Sequence, residues 1–161
     1  MTQQYVATRP DEVATPAVFR TMSGLDFVRA LADGLIGMAP IAGLMNFRLH
    51  LVEEGRVVFR GAPGFEHLNP VGGVHGGWYG TILDSALGCA VATTLPKGRG
   101  YTTLEYKVNI TRALAIGTEV DCEARISHAG RTTGVAEGWI RGVADGRLYA
   151  TGSTTCLIMG G

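Results

Sequence analysis

Hydrophobic and polar positions along this chain repeat with two different periods. Leu25, Val28, Leu31 and Leu35 recur at helical spacing behind Ser23, and Asp26 three positions after that serine resembles a capping box. The pattern predicts an amphipathic helix ending near Pro40. Met45, Phe47, Leu49 and Leu51 then alternate with Asn46, Arg48 and His50, the period of two expected of a half-buried strand. Glu53-Glu54-Gly55 has turn chemistry, and Val57 to Gly61 returns as a hairpin partner. Gly61 to Gly73 reads as a loop rich in glycine and proline. Residues 1–22 lack strong periodicity and read as a weakly structured, loosely attached N-terminal arm, with residues 23–161 forming a single domain.

From Gly76 to about Thr94 the chain is apolar or small on every side of a helix. After the break at Pro96-Lys97-Gly98, four strand-like stretches follow at about 101–111, 118–127, 133–142 and 148–158, separated by turns containing glycine. A helix apolar on all faces must be covered on all faces. One continuous antiparallel sheet curled around it meets that need, which predicts an α+β fold. Gly76, Gly77, Gly80, Ser85, Ala86, Gly88 and Ala90 make the helix thin. Glycine costs roughly 1 kcal/mol against alanine inside a helix, so its four glycines call for either close packing or close approach of a ligand.

Composition narrows the function classes. The length of 161 residues and the 46% hydrophobic content suit one domain with a sizeable core. Fourteen basic residues balance fourteen acidic ones and are scattered, so the electrostatic footprint of a nucleic-acid binder is missing. No uncharged apolar run is long enough to span a bilayer, and the first fifteen residues carry Arg9, Asp11 and Glu12 without an apolar core; a soluble, untargeted, cytoplasmic protein is expected, with no membrane partner. Cys89, Cys122 and Cys156 are odd in number and widely spaced, as reduced packing residues are. There is no G-x-S-x-G elbow, no Walker loop and no metal-ligand spacing among the histidines and cysteines. The paired glycines at 72–73 and 76–77 do not match a dinucleotide fingerprint. Neither a metal nor a cofactor is expected.

One residue stands apart. Between Gly76 and Thr94 only Asp84 is charged, and Gly80, Thr81, Leu87 and Gly88 offer it no cation at helical spacing. A carboxylate in such surroundings is costly unless something compensates it, and one at a site mouth suits general-base work. His75-Gly76-Gly77 lies just before the helix, where unpaired backbone amides and the positive end of the helix dipole converge. Glycine there lets a substrate oxygen reach those amides, as polarising a carbonyl requires. Seven residues separate Gly77 from Asp84, roughly 10 Å along a helix, whereas base and donor must each come within about 3 Å of one reacting centre. If both act, the arrangement that fits is two subunits with antiparallel helices, Asp84 of one facing Gly77 of the other.

The run Asn69-Pro70-Val71-Gly72-Gly73-Val74-His75-Gly76-Gly77, then Leu83-Asp84-Ser85-Ala86, then Gly100-Tyr101-Thr102-Thr103 leading into the strand to Arg112, resembles the hotdog-fold thioesterases related to the phenylacetate-pathway (PaaI-like) enzyme. The resemblance covers roughly residues 43–158 and implies a hotdog fold, a curled antiparallel sheet wrapped around a long central helix. It implies an acyl-CoA substrate, hydrolysed to free acid and CoA by a homodimer that pairs further into a homotetramer. Asp84 matches the family's catalytic carboxylate, as base or nucleophile, and Gly77 the amide that polarises the thioester carbonyl. Asn69 and His75 match polar residues lining the site from the neighbouring subunit, Asn69 holding the water and His75 orienting the loop. Thr102 falls where relatives place a hydroxyl that positions the water, with Thr103 the alternative should the register differ by one. Gly76, Thr103, Trp78, Tyr79 and Leu83 are expected around the acyl group, though packing explains the last three equally well. Relatives carry Arg-Pro where this chain has Arg112-Ala113, which puts the local turn in doubt. Lys97, Arg99, Arg112 and Arg131 read as ordinary solvated charges. Two other readings share the fold. A dehydratase would pair His75 with Asp84, but the spacing of Asn69, His75, Gly77 and Asp84 favours hydrolysis. A non-catalytic acyl-CoA sensor would be expected to lack the carboxylate that Asp84 supplies.

Overall fold

A computed structural model describes residues 4–160. Its centre is the helix α4 (Gly76–Ala92), in which Trp78, Tyr79, Ile82, Leu83, Ala86, Leu87, Ala90 and Val91 are all buried. His75 caps its start, and Thr93 closes its end by donating from its hydroxyl to the Ala90 carbonyl (2.7 Å) while accepting the Gly55 amide (2.8 Å). Six strands wrap it: β1 (Phe47–Glu53), β2 (Arg56–Gly61), β3 (Gly100–Ile110), β4 (Val120–Ala129), β5 (Thr133–Gly142) and β6 (Leu148–Met159). They form one antiparallel sheet in the order β1-β2-β4-β5-β6-β3. Strands β2 to β6 all touch α4. This is the hotdog fold, in the α+β class that the pattern of elements predicts.

Two glycines explain why the helix is thin. Gly80 and Gly88 face β3, and a β-carbon on them would lie 3.3 Å from the Tyr106 ring and 3.2 Å from the Tyr101 ring. Both therefore serve close packing of strand on helix. On the opposite flank, Leu83 packs over Gly138 and Gly152, where the sheet has no side chains to hold it away.

The regions before the sheet depart from expectation. The first amphipathic helix, α2 (Gly24–Ala32), ends well before Pro40. Gly34 turns into the left-handed region (φ 69°) and the Leu35 amide bonds back to the Ala30 carbonyl (2.9 Å), a glycine stop signal that the apolar spacing conceals. Leu35, counted in the apolar stripe, is exposed. A short helix α3 (Pro40–Leu44) intervenes before β1. Residues 4–22 also lie closer to the domain than a loose arm would. Val6 bridges Met38, Ala7 is buried, and a short helix α1 (Pro16–Phe19), capped by the Thr15 hydroxyl, sets Phe19 edge-on to Phe27 at 4.6 Å between ring centres. Met1, Thr2, Gln3 and Gly161, assigned to the arm and to the domain end, lie outside the described residues.

The start of α2 sits on the end of α4. Ser23 caps α2 by accepting the Asp26 amide (3.1 Å), and the Gly24 amide donates to the Leu95 carbonyl (2.9 Å). A β-carbon on Gly24 would fall 1.8 Å from the Ala92 carbonyl oxygen, a clash between backbones that no rotamer relieves. Gly24→Ala should therefore destabilise by about 3 kcal/mol, lowering the melting temperature by roughly 6–12 °C for a chain of this size. Thermal unfolding followed by circular dichroism checks this, and an unchanged midpoint would show that the two helices separate freely.

Candidate active site

Asp84 lies roughly two turns into α4 and faces β3, half-buried. Its Oδ1 accepts a hydrogen bond from the Thr103 hydroxyl at 3.1 Å. That contact depends on an irregularity in β3. Thr103 pairs with Cys156 and Glu105 with Thr155, so Leu104 is an extra residue without an opposite number. The Glu105 carbonyl accepts from the Thr154 hydroxyl (2.6 Å), which pins the bulge. Such a bulge re-aims the side chains on one side of it. Tyr106 and Ile110 approach Gly80 and Gly76 of the helix beyond the bulge, while Tyr101 and Thr103 approach the same helix before it. Thr102, one step out of phase, is exposed. The hydroxyl beside Asp84 thus belongs to Thr103, and Thr102 stands outside the cluster.

Asp84 and Thr103 open onto a cavity of 210 Å³ walled by apolar side chains, Met38, Ala42, Phe47, Phe59 and Tyr101 among them. Cys89 lies on the same wall. Burial and then the neighbouring Asp84 charge push its thiol up to about 12, so it stays protonated and is a poor nucleophile at neutral pH. None of the residues expected around the acyl group, apart from Thr103, lines this cavity. Leu83 is buried against the sheet, and Trp78 is buried with its indole N–H donating to the Met45 carbonyl (2.9 Å). Tyr79 is also buried. Its hydroxyl accepts the Leu114 amide (2.8 Å) and donates to the Arg112 carbonyl (3.4 Å), clamping the turn at Ala113 from both sides. That clamp supplies the stiffness which the absent proline would have given.

The start of α4 forms a second centre. His75, Gly76 and Gly77 are exposed, and Gly77 lines a separate cavity of 290 Å³ with His67, His75, Trp78 and Thr81. The Gly77 amide donates to His75 Nδ1 at 2.8 Å, which requires that nitrogen to be unprotonated. Asn69 organises its own loop, its Oδ1 accepting the Val71 and Gly73 amides (3.0 and 3.1 Å). Periodicity missed His67, which is buried under this loop. Its Nδ1 accepts the Gly64 amide and its Nε2 donates to the Leu44 carbonyl, each at 2.7 Å. The His75 amide bonds to the His67 carbonyl (2.8 Å), so this histidine anchors the approach to the helix. Asn69, His75, Gly76 and Gly77 gather at this end, whereas Asp84 and Thr103 gather elsewhere on the same chain.

Among the described residues, Lys97, Arg99, Arg112 and Arg131 make no ion pair with a carboxylate. Among those residues no group of three or more His, Cys, Asp or Glu is placed to hold a metal ion, and none of their helices is long and apolar enough to cross a membrane.

A curled sheet around one helix, with a lone carboxylate midway along it and exposed glycines at its start, defines a family. The thioesterase superfamily model matches residues 71–153, and the chain belongs to that superfamily of thioester hydrolases. A phenylacetic acid degradation-related protein of Ralstonia eutropha JMP134 has the same fold at a TM-score of 0.74, with 27% identity over 81% of this chain and 98% of that one. A Streptococcus pneumoniae thioesterase structure containing coenzyme A superposes at a TM-score of 0.65, with 26% identity over 71% of this chain and 87% of that one. A Caenorhabditis elegans protein named as an esterase is 30% identical over 90 residues, 56% of this chain and 53% of that protein. The chain thus spans about half the length of the curated relative it matches.

The two threonines make opposite predictions. Removing a hydrogen bond to a charged group costs about 1.5–3 kcal/mol, so Thr103→Val should lower kcat for thioester hydrolysis by roughly ten- to a hundredfold. Thr102→Val should leave kcat within about twofold, since surface changes away from a site are small. Steady-state assays with free-thiol detection decide it, and the reverse ranking would mean the bulge points the wrong threonine at Asp84.

Proposed function

We propose that the protein hydrolyses an acyl-CoA thioester to a free acid and CoA at sites shared between two subunits. The observation that carries this reading is the Asp84–Thr103 pair at the edge of an apolar cavity deep enough for an acyl group. Asp84 takes a proton from a water molecule held by the Thr103 hydroxyl, and the oxygen adds to the thioester carbonyl carbon. The carbonyl oxygen takes up negative charge, which the Gly77 amide at the start of the other subunit's helix stabilises. Collapse of that intermediate breaks the carbon–sulfur bond, and CoA leaves as a thiolate that takes up the proton from Asp84, restoring the carboxylate. Direct attack by the Asp84 carboxylate, through an acyl-enzyme anhydride, is the other route open to the same residue. Asn69 and His75 shape the loop that presents the amide. CoA is the leaving group suggested by the coenzyme A bound in the Streptococcus pneumoniae protein.

Two features support sharing between subunits. Gly77 and Asp84 line different cavities of one chain, and a rigid helix keeps them roughly 10 Å apart. Strand β3 is also a free sheet edge of eleven residues exposing Leu104, Tyr106 and Ile110, a ready template for pairing with another chain. Pairing β3 with its copy antiparallel sets the two α4 helices side by side in opposite directions. Further pairing of dimers into a tetramer belongs to the same reading. So does a cytoplasmic location, which suits the three unpaired cysteines.

Asp84→Asn should lower kcat by about 10² to 10⁴ if Asp84 is the general base, with an unchanged circular dichroism spectrum. Wild-type-like turnover by that variant would remove the assignment, and wild-type protein that binds acyl-CoA without turnover would make it a sensor. Sharing has its own test. Gly77→Pro removes the amide donor in the first turn, where proline is tolerated. When Asp84→Asn and Gly77→Pro chains are refolded together, half of the random dimers are mixed and each of those has one intact site, so about a quarter of wild-type activity should return. Mixed dimers seen by native mass spectrometry without recovered activity would show that each chain works alone.

A further inference from the structure

The acyl cavity ends at Tyr101, and a second cavity begins on the other side of it. Tyr101 lines the 210 Å³ cavity that holds Asp84 and Thr103, and it also lines a 300 Å³ cavity between α1 and the start of β3, walled by Ala14, Pro16, Phe19, Phe27 and Met159. One edge of the ring lies over Gly88, where a β-carbon would come within 3.2 Å of it. From the other side Phe19 approaches at 6.1 Å between ring centres. The phenol is thus held between the central helix and the N-terminal segment, with a hollow to either side. Nothing in the hydrolysis itself requires the second hollow or the aromatic ring.

Resting on the thioesterase reading of Asp84, we propose that Tyr101 is the partition that limits acyl length, and that the cavity under α1 is a closed-off extension of the acyl pocket. An apolar cavity of about 150 Å³ accommodates a benzene ring, so the cavity on the Asp84 side holds an aryl group or a short-to-medium chain and no more. A longer chain meets the Tyr101 ring. Without the ring, the two cavities join and the further methylenes of a long chain reach apolar walls on α1 and α2.

The test is kcat/KM for wild type, Tyr101→Ala and Tyr101→Phe on straight-chain acyl-CoAs from butyryl to palmitoyl. Wild type and Tyr101→Phe should share one profile, falling steeply beyond the chain that fills the first cavity, because the ring and not its hydroxyl forms the wall. In Tyr101→Ala the optimum should move to longer chains, with kcat/KM relative to that for butyryl-CoA gaining about fourfold per newly buried methylene. Adding Ala14→Trp to that variant refills the second cavity and should move the optimum back. If Tyr101→Ala does not fold, Tyr101→Leu keeps apolar bulk and should show the same shift in smaller measure. An active Tyr101→Ala or Tyr101→Leu with the wild-type profile overturns the partition and leaves the thioesterase reading standing. Wild-type protein that hydrolyses no member of the panel overturns both.

Discussion

The close approach of β3 to α4 is the contact from which most of the site follows. A helix with eleven of its seventeen residues buried must be wrapped by the sheet on almost every side, and on the β3 side it is bare backbone that meets the strand. Gly80 and Gly88 leave room for the rings of Tyr106 and Tyr101, so the strand can settle against the helix instead of riding on side chains. That closeness brings the Thr103 hydroxyl within hydrogen-bonding range of Asp84. A hydroxyl donor satisfies part of the carboxylate's need for partners without introducing a cation that would hold it in a fixed ion pair. The helical penalty of glycine is therefore offset in the packing of the strand, and the same two residues serve both the fold and the placement of the candidate base.

Much of this was readable from the chain because the signals were local. Four strands after the helix are bounded by glycine-containing turns, and the central helix is marked by the absence of any polar face. The errors share a cause, which is a local exception overriding a periodic pattern. Counting back by twos from Ile110, Val108 and Tyr106 places Thr102 on the helix side of β3, but the bulge at Leu104 shifts the phase and delivers Thr103 instead. Similarly, Leu35 continues the helical spacing of α2, yet the left-handed turn at Gly34 ends the helix before it. A bulge and a glycine stop each change direction at one residue, and a hydrophobic pattern averages over such events.

The cavity beside Asp84 was illegible for a different reason. Its walls come from α2, α3, β1, β2, α4 and β3, segments spread from Leu31 to Thr103, and no spacing rule connects them. Trp78 follows the glycines at the helix start and Leu83 precedes Asp84, so both are candidates for the pocket by sequence alone. On a helix, though, neighbours along the chain point in different directions: Leu83 packs over Gly138 and Gly152 of the sheet, and the Trp78 indole turns to the Met45 carbonyl at the end of α3. The N-terminal segment shows the same limit of periodicity. Its composition offers no periodic face, but a few well-placed contacts through Val6, Ala7 and Phe19 are enough to lay it along the domain.

The Gly77 amide raises a last point about how a shared site would work. In the single chain that amide is already engaged, donating to the ring nitrogen of His75. For a thioester oxygen to use it, the imidazole must give it up. A neutral hydrogen bond contributes a net of only about 1 kcal/mol, and one to an ionised oxygen is roughly twice as strong as one between neutral groups. A ground-state carbonyl therefore competes with His75 on nearly equal terms, whereas the oxyanion of the tetrahedral intermediate displaces it readily. In the proposed mechanism the His75 cap thus holds the donor in place before reaction at the same cost to substrate and transition state, and the charge on the oxyanion supplies the difference in binding between them. That difference is the kind of binding that accelerates a reaction. The two exposed glycines leave room for the imidazole to turn aside, and the His67 anchor keeps the backbone still while it does so.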